Sequence, residues 1–208
     1  MSAERWRMNQ PPPRTDSSSP ATATAVFAGG GFWCIEAVFE QLRGVFDVES
    51  GYAGGTAETA DYRQVCSGLT GHAEAIRVTY DPSVLSYDQL LDVFFDSHDP
   101  TQLNRQGNDV GPQYRSAIFF ASEEQRQAAE RQIARRNASG QFPRPLATTL
   151  ERLTTFFPAE AYHQDYARQH PDQAYIVFQT WPKVCKIRDL HAPLIAPDDS
   201  PRDDSPRH

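Results

Sequence analysis

The chain has 208 residues, of which 39% are hydrophobic and 23% are charged, and it lacks the long apolar run that a membrane-spanning helix requires. Its formal net charge of -7 gives no support to a binding surface for nucleic acid or for an anionic membrane. These figures predict a soluble globular protein of one domain or two small ones.

Prolines cluster near both ends of the chain, whereas all 12 glycines lie between those ends. Proline-rich polar ends of this kind predict disordered tails over residues 1–24 and 193–208. The second tail repeats the acidic motif DDSPR and is expected to act as a solvating segment. One folded domain is therefore expected over residues 25–192.

The front half of this domain alternates short strands with glycine-rich turns. Residues 25–28 predict a buried strand, and three glycines follow it before an apolar spacing that predicts a helix closed by Gly44. Residues 45–52 alternate as a strand, and residues 72–80, with the sequence HAEAIRVTY, predict a central strand that ends at an Asp-Pro turn.

The second half contains two helices with clear start signals. Ser86 and Gln89 have capping-box spacing ahead of a helix that runs to about Ser97. Residues 101–114 form a long polar loop, and its glycines and proline favour an ordered binding loop over a disordered one. A strand over residues 117–121 and a helix capped by Ser122 follow. A strand over residues 148–153 and a helix over residues 159–169 complete the prediction.

The spacers between residues 45 and 80 are too short and too rich in glycine for repeated helical crossovers between parallel strands. The pattern therefore predicts the α+β class. We expect a single domain with a mixed or antiparallel sheet, a ferredoxin-like core, helices packed mainly on one side, and long ordered coil.

The most unusual local pattern is GGGFWC at the start of the first helix. Phe32 and Trp33 can form an apolar wall at the sheet edge, or one can belong to the core while the other covers it. Cys34 lies in the first helical turn, where free N–H groups and the helix dipole favour a thiolate. A buried and inert cysteine is the alternative. The pattern is neither GxGxxG nor a P-loop, so nucleotide binding is not supported.

A carboxylate and several phenols are further candidates for chemistry. Glu74 lies between two alanines on the predicted central strand, and burial there would raise its pKa and make it a proton donor near neutral pH. An exposed strand position is the alternative. Tyr62, Tyr114 and Tyr162 lie in polar contexts that suit a hydroxyl placed for hydrogen bonding.

Metal and hydrolase sites are not supported by the sequence. No GxSxG motif is present, so a serine hydrolase is not supported. The spacing of His72, His98 and His163 matches no metal-ligand motif. We expect no metal. The three cysteines are too scattered for a disulfide scaffold, and the polar N-terminus carries no secretory signal pattern. A reducing, cytoplasmic location is expected.

Five segments together resemble the class A peptide methionine sulfoxide reductases. They are GGGFWCIEAVF, GVFDVESGYAGG, DYRQVCSGLTGHAEAIRVTYDP, HDPTQLNRQGNDVGPQYRSAIFF and AEAYHQDY. The resemblance covers about residues 25–190 and implies the α+β fold of that family. It also implies reduction of the S epimer of methionine sulfoxide, free or in proteins, as a repair of oxidative damage.

The resemblance also implies roles for individual residues. A sulfoxide oxygen must be protonated while a thiolate attacks the sulfur. Glu74 would be the acid that protonates it, with Tyr62 and Tyr114 donating hydrogen bonds to the same oxygen. The S-methyl pocket and its hydrogen-bond network would be formed by Phe32, Trp33, Asp109 and His163.

One position departs from the family pattern. The family nucleophile is a cysteine in a Gly-Cys-Phe-Trp motif, and the aligned residue here is Gly31, which cannot form a sulfenic acid. Cys34 lies one turn further on nearly the same helix face, set back by about 4–5 Å of axial rise, and is the candidate substitute. Two functions remain open: a weak reductase, or a catalytically dead pseudoenzyme that binds methionine sulfoxide without turnover.

The resemblance implies no bound cofactor and recycling by thioredoxin or another thiol reductant. The family's resolving cysteine lies near the C-terminus or at the position of Cys34, and residues 186–208 contain no cysteine. The lack of a thiol in this tail weakens the case for thioredoxin recycling. Cys66 occupies a position that the family often fills with cysteine without using it, and Cys185 has no regular role. Beyond substrate and reductant, no nucleic-acid or membrane partner is expected, and the protein is expected to be a monomer.

Overall fold

The computed structural model describes residues 21–197, and these residues form an α+β fold built on one six-stranded sheet. The α+β prediction is confirmed. Most of the two predicted disordered tails falls on residues 1–20 and 198–208, which lie outside the described residues. Within residues 21–197, none of the helices combines the length and the apolar character needed to cross a membrane.

The described strands are β1 Ala23–Gly29, β2 Val45–Ala53, β3 Ala73–Tyr80, β4 Arg105–Gln106, β5 Asp109–Val110, β6 Ser116–Phe120, β7 Thr149–Arg152 and β8 Phe156–Pro158. The main sheet has the order β7-β6-β1-β3-β2-β8. Its neighbours are antiparallel except for β6 and β7, which run parallel. Strands β4 and β5 form a separate hairpin.

The described helices are α1 Phe32–Phe39, α2 Tyr62–Val65, α3 Tyr87–Ser97, α4 Glu123–Ser139, α5 Tyr166–Gln169 and α6 Trp181–Leu190. The side chains of β1 alternate between two apolar clusters. Phe27 belongs to the large cluster that includes α1 and α3, and Val26 belongs to a smaller cluster on the opposite face. Because both faces of β1 are buried, the sheet positions the start of α1 rigidly at the end of this central strand.

Several local predictions are confirmed. Ser86 and Gln89 form the expected capping box at the start of α3. Ser122 caps α4, and Gly140 ends this helix in the left-handed conformation with φ 71°. Such a backbone favours glycine because other residues meet a steric penalty there.

The predicted helix over residues 159–169 is wrong. The structure has a 3-10 turn over Ala161–His163 and then the short helix α5, with Asp165 left-handed between them at φ 55°. The side chain of Gln164 explains the break, because it accepts a hydrogen bond from Ser50 N and donates one to Ser50 O. This tie to β2 competes with helical continuation of the chain.

The last helix, α6, was not predicted. Pro182 lies in its first turn, which is a common position for proline at a helix start, and Val184 and Ile187 are its buried side chains. A π-helical turn over Ile176–Thr180 precedes it. This segment carries residues that contact the candidate site.

The long loop over residues 101–114 is ordered, and it contains the β4–β5 hairpin. Gln106 holds it in place, with its side chain hydrogen bonded to both Asp99 N and Asp99 O at 3.2 and 3.1 Å. Gly30 is needed at this contact, because its φ is +90° and an added Cβ would lie 2.7 Å from Gln106 Cγ. The loop thereby brings Asp109 and Tyr114 to the start of α1.

Candidate active site

The site is built where β1 passes into α1. Gly31 precedes α1 with φ -60° and ψ 131°, a conformation open to any residue. The next residue, Phe32, donates its backbone N–H to Glu74 Oε2 at 3.1 Å. Since β1 pairs with β3, the helix start and the carboxyl of Glu74 are brought together although they are 42 residues apart.

Glu74 is buried, with 3% of its surface exposed, so the alternative of an exposed strand position is excluded. Its pKa is raised to about 8, chiefly because burial penalises the charged form; the Phe32 N–H opposes this rise and the nearby charge of Asp109 adds to it. A carboxyl with this pKa is protonated at neutral pH. Glu74 can therefore donate a proton to a group that enters the site.

Two phenols lie within electrostatic reach of Glu74. Tyr62 begins α2 and Tyr114 ends a 3-10 turn, and both are half-buried. Burial raises the pKa of each phenol, and the charge of Glu74 adds to the rise. Both hydroxyls therefore stay protonated, and the proton of Tyr62 is directed to the Cys66 sulfur in this structure. Glu160 anchors the first of them by accepting Tyr62 N–H at 2.9 Å.

Phe32 and Trp33 have different roles in the packing. Phe32 is 1% exposed and belongs to the core. Of the two arrangements left open for this aromatic pair, the one with a core residue and a covering residue therefore describes Phe32. Trp33 is half-buried, and its indole stacks on Tyr166 with ring centroids 3.8 Å apart and planes 7° apart. Its N–H donates to His163 Nδ1 at 3.2 Å. Trp33 is therefore the partly exposed member of this aromatic pair.

His163 is 1% exposed, and burial lowers its pKa, so its imidazole is neutral at neutral pH. Because Nδ1 accepts the indole proton of Trp33, the imidazole proton lies on Nε2. Among the described residues Nε2 has no hydrogen-bond partner, with Glu160 Oε2 at 4.0 Å. The ring also packs 4.4 Å from that of Tyr62 and 4.1 Å from that of Tyr162, centroid to centroid, and so joins the phenols to the aromatic wall.

Cys34 lies behind Gly31 and is sealed from solvent, with 0% of its surface exposed. Its Sγ lies 3.2 Å from Thr180 Oγ1 and donates to Tyr175 Oη at 3.6 Å. Tyr175 in turn donates to Asp109 Oδ2 at 2.8 Å. The structure thus agrees with the alternative of a buried Cys34. The phenol of Tyr175 links this cysteine to Asp109.

Tyr175 is the site residue that sequence reasoning missed. A Cβ added at Gly31 would lie 2.7 Å from Tyr175 Oη and 3.7 Å from Asp109 Oδ2. The phenol therefore stands where a side chain at position 31 would begin. No local pattern marks this tyrosine, because its partners come from helix α1 and from the β4–β5 hairpin.

The remaining predicted residues lie at the rim or elsewhere. Tyr162 is 58% exposed, and Cys66 and Cys185 are exposed free thiols. Burial raises the pKa of the Cys66 thiol, although a hydrogen bond from Tyr62 lowers it. His98 is buried against Ser116 rather than in the site. Across residues 21–197, no group of His, Cys, Asp and Glu side chains is arranged to hold a metal ion.

The site thus combines a protonated buried carboxyl, protonated phenols and an apolar indole face at one helix start, on an α+β sheet. Solved methionine sulfoxide reductases share this fold. Reduced Mxr1 of Saccharomyces cerevisiae matches with a TM-score of 0.67 and 33% identity, over 73% of this chain and 87% of that one. Methionine sulfoxide reductase A of Corynebacterium diphtheriae matches with a TM-score of 0.64 and 34% identity, over 74% and 77%.

Sequence relatives carry the assignment to a particular family. The family described as peptide methionine sulfoxide reductase matches residues 23–193. The peptide methionine sulfoxide reductase MsrA of Deinococcus radiodurans is 53% identical over 171 residues, which cover 82% of this chain and 83% of that protein. The MsrA of Thermus thermophilus is 51% identical, over 83% and 97%. The chain belongs to the peptide methionine sulfoxide reductase family.

Proposed function

We propose that this protein binds the S epimer of methionine sulfoxide, free or within proteins, and reduces it slowly because Gly31 supplies no thiol. The observation that carries this proposal is Glu74, a carboxyl that burial keeps protonated at neutral pH beside the helix start. Membership in the peptide methionine sulfoxide reductase family supports the choice of substrate.

The protein's contribution to the reaction is to bind and protonate the sulfoxide. Glu74 donates a proton to the sulfoxide oxygen, while Tyr62 and Tyr114 hold that oxygen by hydrogen bonds. Trp33 contacts the S-methyl group, and the buried ring of Phe32 supports the site from the core. The hydrogen-bond donors fix the oxygen on sulfur, and the apolar wall fixes the methyl group. The third substituent, the rest of the methionine side chain, then points out of the pocket. This arrangement accepts one epimer and rejects the other.

Asp109 and His163 complete the pocket in this proposal. Asp109 orients Tyr175 by accepting a hydrogen bond from its hydroxyl, and His163 Nδ1 holds the indole of Trp33 by accepting a hydrogen bond from its N–H.

The redox step needs a thiol, and Cys34 is the thiol carried by α1. Its thiolate attacks the substrate sulfur as Glu74 protonates the oxygen, so oxygen passes to Cys34 as a sulfenic acid and methionine leaves as the thioether. One equivalent of an external thiol converts the sulfenic acid to a mixed disulfide and water. A second equivalent releases the Cys34 thiol and forms the disulfide of the reductant. Thioredoxin or a small dithiol can serve as this reductant.

A second function, capture of methionine sulfoxide without turnover, is favoured by one specific observation. Cys34 is 0% exposed, and the hydroxyl of Tyr175 lies 3.6 Å from its sulfur and 2.7 Å from the position of a Cβ on Gly31. Reactive geometry tolerates displacements of only about 1 Å before the rate falls steeply. A thiol held behind a phenol in this way leaves the pocket able to bind but slow to react.

Turnover of the two epimers separates these functions. Purified protein is incubated with S and R methionine sulfoxide and dithiothreitol, and methionine is measured by mass spectrometry. Slow turnover of the S epimer that Cys34→Ser abolishes, and Cys66→Ser leaves intact, supports the reductase. Binding of the S epimer without product supports capture.

Gly31→Cys tests the rest of the site. It should raise turnover of the S epimer by orders of magnitude, since acid, phenols and indole are already in place. The phenol tip of Tyr175 must shift to admit the new side chain. Equal binding of R and S epimers, or no gain in Gly31→Cys, would overturn the proposed function.

A further inference from the structure

Tyr175 lies at the junction of three site residues. Its hydroxyl accepts a hydrogen bond from Cys34 Sγ at 3.6 Å and donates one to Asp109 Oδ2 at 2.8 Å. The same oxygen lies 2.7 Å from the position of a Cβ on Gly31. The phenol hydroxyl therefore lies close both to the buried thiol and to the place where a side chain at position 31 would begin.

The hydrogen bonds fix which way the protons point. Burial raises the pKa of Tyr175, so its hydroxyl stays protonated. Its one proton points to Asp109, which accepts it in a hydrogen bond. Toward Cys34 the hydroxyl oxygen can then act only as an acceptor. The arrangement holds the thiol as a donor, whereas a sulfur that attacks substrate needs to be turned toward the pocket with its electron pair free.

Within residues 21–197, the two hydrogen-bond partners of the Cys34 sulfur lie at the ends of one short segment. Tyr175 precedes the π-helical turn over Ile176–Thr180, and Thr180 closes it with 0% of its surface exposed. Between these ends, Phe178 is 74% exposed and faces outward. π-Helical turns are uncommon and are often found at functional sites. The inner ends of this segment thus hold the thiol, while its middle contacts solvent.

We propose that Tyr175 is a gate residue that closes Cys34 off from the sulfoxide pocket. This inference rests on the proposed function for its consequence in turnover, because the gate controls when Cys34 meets a bound sulfoxide. Displacement of the phenol breaks its hydrogen bonds to Asp109 and Cys34 and opens the space beside Gly31. Tyr175 is a positioning residue in this scheme, since it acts through the thiol.

Alkylation of Cys34 tests the gate without any sulfoxide. Iodoacetamide labelling is followed by mass spectrometry in a Cys66→Ser, Cys185→Ser background, which removes the exposed thiols. Tyr175→Phe removes two hydrogen bonds and should speed labelling of Cys34 about tenfold, and Tyr175→Ala, which also opens the space, should speed it further. Phe178→Ala is the matched control on the same segment, and its labelling rate should equal that of the parent.

The outcomes of this experiment are distinct. Labelling of Cys34 in the folded parent as fast as in denaturant, or equal rates for Tyr175→Ala and Phe178→Ala, would overturn the gate. Circular dichroism shows whether each variant is folded, and Tyr175→Phe provides the test if Tyr175→Ala is not. With the gate open, turnover of the S epimer should rise and remain dependent on Cys34. Faster labelling with no binding of the sulfoxide would keep the gate and refute the proposed function instead.

Discussion

Replacement of Glu74 by glutamine should make the protein more stable at alkaline pH while it removes the proton donor. The folded-state pKa of Glu74 is about 8, above its ordinary value of 4.5, because burial penalises the charged carboxylate. Folding therefore favours the protonated form. The contribution of this group to stability is complete below pH 4.5 and is lost as the pH rises through 8. Glutamine has the same shape and stays neutral throughout.

The size of the effect follows from the pKa of Glu74. Each pH unit between the two values corresponds to about 1.4 kcal/mol in the free energy of unfolding. Relative to a side chain that is always neutral, Glu74 therefore lowers the free energy of unfolding by about 1 kcal/mol near pH 5 and by about 4 kcal/mol near pH 8. Glu74→Gln avoids this cost, and its amide oxygen can still accept the Phe32 N–H. Its stability relative to the parent should therefore increase by about 3 kcal/mol between these two pH values.

Urea denaturation of parent and variant at both pH values measures this change. Glu36→Gln is the matched control, because Glu36 is also buried with its pKa raised to about 7, and its backbone partner is Asp165 rather than the helix start. Both variants should gain stability with rising pH, but only Glu74→Gln should abolish protonation of the sulfoxide and hence turnover. A stability difference for Glu74→Gln that stays constant between the two pH values would show that Glu74 is ionised in the folded protein and would refute the assignment of the acid.

Three further substitutions test other parts of the structure. Arg136→Ala removes a guanidinium that is 5% exposed and paired with Asp92, and urea denaturation should show a loss of about 3 kcal/mol; a loss below about 1 kcal/mol would mean that the pair contributes little. Gly51→Ala places a methyl group against the ring of Phe156, and thermal unfolding should shift down by roughly 5 °C, whereas an unchanged midpoint would contradict this packing. Trp33→Ala removes the stacked indole wall, and calorimetry should show about tenfold weaker binding of S methionine sulfoxide, with equal affinity arguing against this wall.

The sequence by itself determined the elements whose signals are local. The Ser86 cap and the left-handed Gly140 follow from residues within a few positions of each other, whereas the strand pattern around Glu74 leaves its burial open. Such features depend on the backbone preferences and periodicity of one segment, which a single sequence carries in full. The five family-like segments also carry the predictions for the pocket residues and for Gly31 at the position of the family cysteine.

Only the tertiary structure decided which distant residues contact Cys34 and where the predicted helix over residues 159–169 is interrupted. The hydrogen bond from Cys34 Sγ to Tyr175 Oη joins residues that lie 141 positions apart in sequence. The break at Asp165 likewise follows from the hydrogen bonds of Gln164 to β2, 114 residues distant, and it overrode a helical pattern. Contacts of this separation exist only after the sheet has assembled and the C-terminal segment has packed against it. No local pattern records them, because their free energy belongs to the packed pair and to neither segment alone.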